Sequence, residues 1–341
     1  DNLEALDTLA SAQLRLGKID DAEKHLMEAL RRVPAHLEAS VGVARVKVQR
    51  KDFAGAEQAL KDAVAANPKA DEPLVILGEF YIAMRRIPDG ERTLRSAIGL
   101  KPSSGQALSD LGALLMNTGR ASEAGGIYLR LAATGEKAYR PLHAQYLFTT
   151  GKRTEAILEF EKLASGAPDD REARSRLVAA YLAVGRTADA GKMLSAALKK
   201  NGKDADALLE RSQILLREGR YNDAQMDLNE ALHYRPDSAA VHYALSKVHE
   251  ARGAVQNRKQ ELNESLRLQP AWLSARMELA QILTTPGDAK SAIELLDQAP
   301  PQQREMPKVQ LQRNWALIAS GNTTTARATL DRLLASGRVP A

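Results

Sequence analysis

Six histidines and no cysteine limit the chemistry open to this chain of 341 residues. His242 and His249 stand seven positions apart, which puts them on one helix face, and His233 precedes them in the neighbouring helix, so an imidazole metal site is the first chemistry to weigh. No carboxylate completes an evident ligand set around them, so a metal site is not expected. The missing cysteines exclude thiolate nucleophiles, disulfides and cysteine-ligated zinc, while leaving the redox compartment open. No phosphate loop, glycine-rich dinucleotide turn, nucleophile elbow or two-histidine zinc helix occurs. The chain is therefore read as a non-enzyme with no catalytic residues, no metal and no cofactor.

The elements that would position any functional group follow from a repeat. Pro34, Pro68 and Pro102 are spaced by 34 residues, as are Pro236 and Pro270. With each proline at position 32, repeats start near residues 3, 37, 71, 105, 137, 171, 205, 239, 273 and 307. Position 15 is glycine in eight repeats (Gly17, Gly119, Gly151, Gly185, Gly219, Gly253, Gly287 and Gly321), where a helix can end in the left-handed conformation. Position 8 is small in most repeats, as at Ala10, Gly78, Gly112 and Ala280, and position 20 is small at Ala22, Ala56, Gly90, Ala124 and Ala190, so paired helices can approach closely. A bulky apolar residue follows four places later, as at Leu26, Leu60 and Leu94, completing an amphipathic stripe. Acids such as Asp21, Asp89 and Glu123 open the second helix, where the helix dipole favours negative charge. Aromatic content of only 4% agrees with a core of closely packed helices rather than large rings.

This pattern resembles the tetratricopeptide repeat, and repeat 3 carries it most completely in Leu74, Leu77, Gly78, Tyr81, Leu94, Ala97 and Pro102, with Gly90 in place of alanine. The resemblance covers almost the whole chain. It implies an all-α fold, an α-α superhelix or solenoid of about ten antiparallel helix pairs, forming a single domain over residues 3–340. It also implies that first helices line a concave wall, with positions 2, 5, 9 and 12 reaching inward. On that wall the candidate partner-binding residues are Arg45, Glu79, Asn117, Gln145, Phe148, Gln213, Tyr243, Lys247, Gln281 and Trp315. Phe148, Tyr243 and Trp315 stand out because the chain has only four Phe, eight Tyr and two Trp, and aromatic anchors tend to dominate interface energies. Co-chaperone members grip a terminal carboxylate with lysine and asparagine at positions 5, 6 and 9. Neither position 5 nor position 9 holds asparagine here, so that clamp and the asparagine ladder of sugar-transferase arrays are not expected.

Several repeats depart from the pattern. Arg258 and Ser265 replace alanines in repeat 8 and Asn314 replaces a small residue in repeat 10, which points to looser packing there. Two seams are expected: 132–141, where Pro141 forces a late helix start near Arg140, and 298–309, which holds Pro300, Pro301 and Pro307. Leu3, Leu6 and Leu9 at one end, and no polar capping helix after Leu334 at the other, raise end-to-end self-association. The chain opens at Asp1 without methionine, as an excised fragment or processed chain does.

The longest apolar stretch, Leu177 to Gly185, falls well short of the ~20 residues that span a bilayer. Net charge is only +5, from 48 basic and 43 acidic residues interleaved along the chain. The pI near 9.3 and short basic runs such as Lys199, Lys200 and Lys203 keep an RNA-binding helical repeat as an alternative ranked below protein binding. The expectation is a scaffold or adaptor that holds a protein or peptide in its concave groove. A looser resemblance to bacterial envelope, secretion and exopolysaccharide-export arrays implies a bacterial setting, with periplasm favoured over cytoplasm. A regulatory repeat region of a larger enzyme is the other alternative.

Overall fold

The computed structural model describes residues 2–335, so the end placed at 340 and the stretch after Ala335 lie outside the described residues. Among the described residues there are twenty-one helices and no strand. The chain divides into two compact units, Asp1–Pro168 and Asp169–Ala341.

The N-terminal unit contains α1 (Leu3–Arg15), α2 (Ile19–Arg32), α3 (Leu37–Gln49), α4 (Phe53–Ala66) and α5 (Glu72–Ala83). It continues with α6 (Ile87–Leu100), α7 (Gly105–Asn117), α8 (Ala121–Ala133), α9 (Leu142–Thr149) and α10 (Arg153–Gly166). The C-terminal unit contains α11 (Arg171–Ala183), α12 (Thr187–Lys200), α13 (Ala205–Arg217), α14 (Tyr221–Tyr234), α15 (Ala239–Ala251) and α16 (Val255–Leu268). It ends with α17 (Leu273–Leu283), α18 (Ala289–Asp297), the one-turn α19 (Pro301–Arg304), α20 (Pro307–Ala319) and α21 (Thr323–Ala335).

Local signals explain where many helices begin. Asp52, Asp170 and Asp204 precede α4, α11 and α13, and each side chain accepts a hydrogen bond from a first-turn amide. The turn inside each pair needs a left-handed residue. Gly17, Gly119, Gly151, Gly185, Gly219, Gly253 and Gly321 supply it with φ between 68° and 87°. Gly287 does not have a positive φ. Pro286 disfavours helical backbone at Thr285, so α17 stops at Leu283 and the turn is rebuilt around residues 284–288.

Close approach between paired helices comes from the small residues. Ala10 and Ala22 are fully buried together, as are Ala56, Ala124, Ala156, Ala190 and Ala224 in their own pairs. In α5 and α6 the approach is tighter still: a Cβ added to Gly90 would stand 3.1 Å from the Gly78 carbonyl oxygen and 2.7 Å from Ile82 Cγ1. Gly90 is thus required by Gly78 and Ile82 across the interface. Leu94, one turn on, is completely buried, and such a side chain contributes about 1.5–3 kcal/mol through burial.

The departing repeats pack differently from the expectation of looseness. In repeat 8, Ser246, Ser265 and Leu262 are fully buried between α15 and α16, while the part-buried Arg258 side chain sets its guanidinium between Glu250 of α15 and Glu278 of α17. In repeat 10, Asn314 is buried and its Nδ2 donates to the Ala326 carbonyl at 3.0 Å, a polar bond spanning the helix pair. At the first seam, residues 137–141 form turns, Pro141 caps α9, and α9 has only eight residues, starting at Leu142. Tyr139 fills the seam by packing on Gly105, where any Cβ would collide with its ring. At the second seam the prolines open α19 and α20, where a missing amide hydrogen costs no helical bond.

Candidate protein-interaction groove

In the N-terminal unit, α1, α3 and α5 line one groove of about 630 Å³. Val41, Arg45 and Val48 share a face of α3 because they are spaced by four and three residues, and Ile76, Glu79 and Phe80 do the same on α5. With Leu14 and Ser11 from α1, they give an apolar strip edged by polar groups. A smaller cavity of about 260 Å³ shares Ser11, Leu14, Val41, Arg45 and Ile76 with the groove and is otherwise bounded by Asp7, Glu38, Glu72, Leu26, Leu37 and Gly42.

The charges of this wall are unevenly satisfied. Arg15 and Arg45 line the groove, and neither has a side-chain partner among the described residues. Asp7 accepts from His36 Nε2 at 2.8 Å. Glu79 accepts from Gln106 Nε2 at 3.3 Å, and the same amide donates to Asp110 Oδ1 at 3.1 Å. Burial and then the facing Glu79 charge push the Asp110 carboxyl up to about 6.

The C-terminal unit holds a satisfied ionic cluster centred on Glu278 of α17. Tyr243 Oη and Lys247 Nζ each donate to Glu278 Oε1 at 2.6 Å, and Arg258 donates to Oε2 at 2.9 Å. Burial alone would raise the Glu278 pKa, but these hydrogen bonds outweigh it and hold the carboxyl below its ordinary value. Arg258 also reaches Glu250 at 2.7 Å, and the Tyr243 ring packs against Trp272 at 4.9 Å between centroids. The histidines weighed as ligands have other engagements: His242 Nδ1 bonds Glu261 at 2.7 Å and His249 is buried in α15. Among the described residues no three His, Asp or Glu side chains converge as a metal site would require, and no helix is long and apolar enough to cross a membrane.

Both units repeat one geometry, paired helices closed by a left-handed turn and stacked on their neighbours. The family described as "Tetratricopeptide repeat" matches residues 8–71 and 77–141, a second family of that description matches 47–98, and "Protein kinase G tetratricopeptide repeat" matches 135–338, more than half of the chain. The chain belongs to the tetratricopeptide repeat family.

Two solved tetratricopeptide repeat proteins are similar to the chain at low identity. A thermophilic one from Thermus thermophilus is 22% identical, with a TM-score of 0.38, covering 53% of this chain and 100% of its own. Another, from Parabacteroides merdae, is 15% identical with a TM-score of 0.39, covering 78% of this chain and 92% of its own. No curated protein matches. Tetratricopeptide repeats indicate a scaffold for protein interactions, and in that general sense this chain is one.

Of the candidates expected on the concave wall, Arg45 and Glu79 come together in the groove of the N-terminal unit. Asn117, Gln145, Gln213 and Gln281 are exposed on first helices, spread along the two units. Phe148 is half-buried, with the Arg153 guanidinium 5.9 Å from its ring centre. Tyr243 and Lys247 are committed to Glu278 within the array. Trp315 on α20 is 62% exposed, next to the 48% exposed Ile318. The residues that the sequence reading missed sit at position 6: Asp110, Glu210 and Glu278, each facing position 5 or 9 of the preceding repeat. Glu210, raised in pKa by burial, takes the Ser175 hydroxyl as donor. Position 6 is acidic in only these three of the ten repeats, so recurrence gave no signal for them.

Proposed function

We propose that this chain is an adaptor whose N-terminal unit docks a segment of another protein in the groove formed by α1, α3 and α5. The supporting observation is the apolar strip of Leu14, Val41, Val48, Ile76 and Phe80, flanked by side chains with unused hydrogen-bonding capacity at Arg15 and Arg45. An apolar strip with polar edges suits a helix or extended peptide, whose apolar residues enter the strip while its polar ones meet the edges. In the C-terminal unit Trp315 is the contact we favour, because its ring is open to solvent whereas Tyr243 is held by Glu278. The reading includes an envelope or export assembly as the setting.

Capture from the native organism followed by mass spectrometry identifies the partner, and Val48→Asp then tests the groove. Val48 is exposed at the groove edge, so a carboxylate there is expected to weaken binding by ~1–3 kcal/mol while the thermal melt hardly moves. Unchanged affinity would remove the groove from the interface. The match over 135–338 to a repeat named for a protein kinase favours a second reading, a regulatory repeat region of a larger enzyme. Kinase peptides recovered from the same polypeptide would replace the first reading by the second.

A further inference from the structure

The groove of the N-terminal unit is electrically polarised along its helices. Acids occupy the early turns: Asp7 on α1, Glu38 on α3 and Glu72 on α5 bound the smaller cavity. Cations occupy later turns of α1 and α3: Arg45 stands seven residues after Glu38, and Arg15 eight after Asp7, while the one acid at that level, Glu79 on α5, takes the Gln106 amide. At about 1.5 Å per residue, the two charge zones are roughly 10–12 Å apart. The apolar strip runs between them, shared by both cavities through Leu14, Val41 and Ile76.

The zones differ in what they have left to offer. Arg15, Arg45 and Glu72 have no side-chain partner among the described residues. Asp7 and Glu38 contact only the His36 ring, at 2.8 Å and 3.4 Å, so neither carboxylate is matched by a lysine or arginine. The contrast with the outer surface is sharp: on the second helices Glu23, Glu57 and Glu91 all meet arginines. The groove wall thus carries unmet charge of both signs, with Asp7, Glu38 and Glu72 towards one end of the apolar strip and Arg15 and Arg45 towards the other.

Resting on the groove reading above, we propose that the occupant is a protein segment of matching polarity: an apolar patch flanked on one side by lysine or arginine and on the other by aspartate or glutamate. The basic flank meets Asp7, Glu38 and Glu72, and the acidic flank meets Arg15 and Arg45. Charge placement then fixes the orientation in which the segment lies and rejects segments with the same apolar residues and the opposite polarity. A purely anionic ligand is disfavoured, because four carboxylates, Glu79 among them, share the wall with the two arginines.

The probe is a displayed library of random peptides selected on the whole chain, with the best sequences then synthesised and titrated. The expected result is a shared pattern of apolar residues between oppositely charged flanks. Arg15→Glu combined with Arg45→Glu is expected to weaken those peptides roughly tenfold, and peptides with the acidic flank changed to lysine are expected to regain binding on that variant. Circular dichroism melts check that the variants fold. Binding lost with Val48→Asp but indifferent to the arginine reversals overturns the polarity proposal and leaves the groove reading standing. Binding indifferent to both, or no selectable peptide at all, sinks the groove reading as well. Sedimentation showing a dimer dispersed by Val48→Asp would make a second copy the occupant and overturn the proposal.

Discussion

Lys51 and Arg85 occupy a backbone conformation that ordinary side chains avoid, with φ of 61° and 59°. They stand at position 15, the place where seven other repeats have a left-handed glycine, because the chain must reverse between two packed helices within a few residues. For a residue with a Cβ that conformation costs about 1–2 kcal/mol, whereas glycine is penalised instead through a more flexible unfolded chain. The first effect is the larger here. Lys51→Gly and Arg85→Gly are each expected to raise stability by ~0.5–1 kcal/mol, measured as a shift of the urea midpoint at constant slope. A loss of stability would mean that the side chains make contacts worth more than the strain. The requirement itself was legible from the glycines of the other repeats, since one conformational need recurs at one position. The carboxylates at position 6 were not legible in that way: Glu278 is matched by Tyr243, Lys247 and Arg258, which lie 20 to 35 residues away and are brought together only by stacking.

Between neighbouring helices, the second helices of the N-terminal unit are joined by a ladder of ion pairs. Glu23 of α2 meets Arg50, Glu57 of α4 meets Arg86, and Glu91 of α6 meets Arg120, the last two at 2.6 Å and 2.7 Å. Arg86 and Arg120 each also hold an acid in the first turn of their own helix, Asp89 and Glu123. In the C-terminal unit the polarity reverses, with Lys259 of α16 bonded to Asp288 before α18 at 2.6 Å. Repeat spacing revealed the helix pairs and their small-residue contacts, but this ladder was hidden because its partners lie about a repeat apart and change sign along the chain. Its clearest member is Glu57, whose carboxyl is lowered to about 2, first by the hydrogen bond from Lys61 and then by those from Tyr81 and Arg86. A carboxylate with a folded-state pKa below its unfolded value of ~4.3 stabilises fully above that value, and the contribution disappears as the pH falls through about 2. Glu57→Gln is therefore expected to lower the melting temperature at pH 7, with the gap to the parent chain narrowing below pH ~4 and closing near pH 2. A gap that stays constant down to pH 2 would show that packing of the longer side-chain atoms, and not the charge, is what the substitution removes.

Over the whole molecule, a repeat array is expected to hold its stability in nearest-neighbour interfaces, so that damage stays near its source. Arg276 offers a test because it is a charged group only 3% exposed and it ties three segments together. From α17, its guanidinium donates to the Leu295 carbonyl of α18 at 2.5 Å and to the Pro270 carbonyl, just after α16, at 2.6 Å. Burial lowers its pKa, which shows the cost of holding the charge there, and the two carbonyls offset part of that cost by accepting from its two terminal nitrogens, while the buried Nε has no partner. Arg276→Met keeps much of the volume but leaves both carbonyls without that donor, for an expected loss of ~2–4 kcal/mol. In hydrogen exchange on the full chain, protection is expected to fall in α16, α17 and α18 and in the adjacent α20, while α1 to α6 exchange as before. If protection drops by the same factor in α1 to α6, the array unfolds as one cooperative body and the nearest-neighbour description fails. The same measurement separates the two roles assigned to charged residues: Arg276→Met should change exchange without altering peptide binding in the groove, and the reversal of Arg15 and Arg45 should do the opposite.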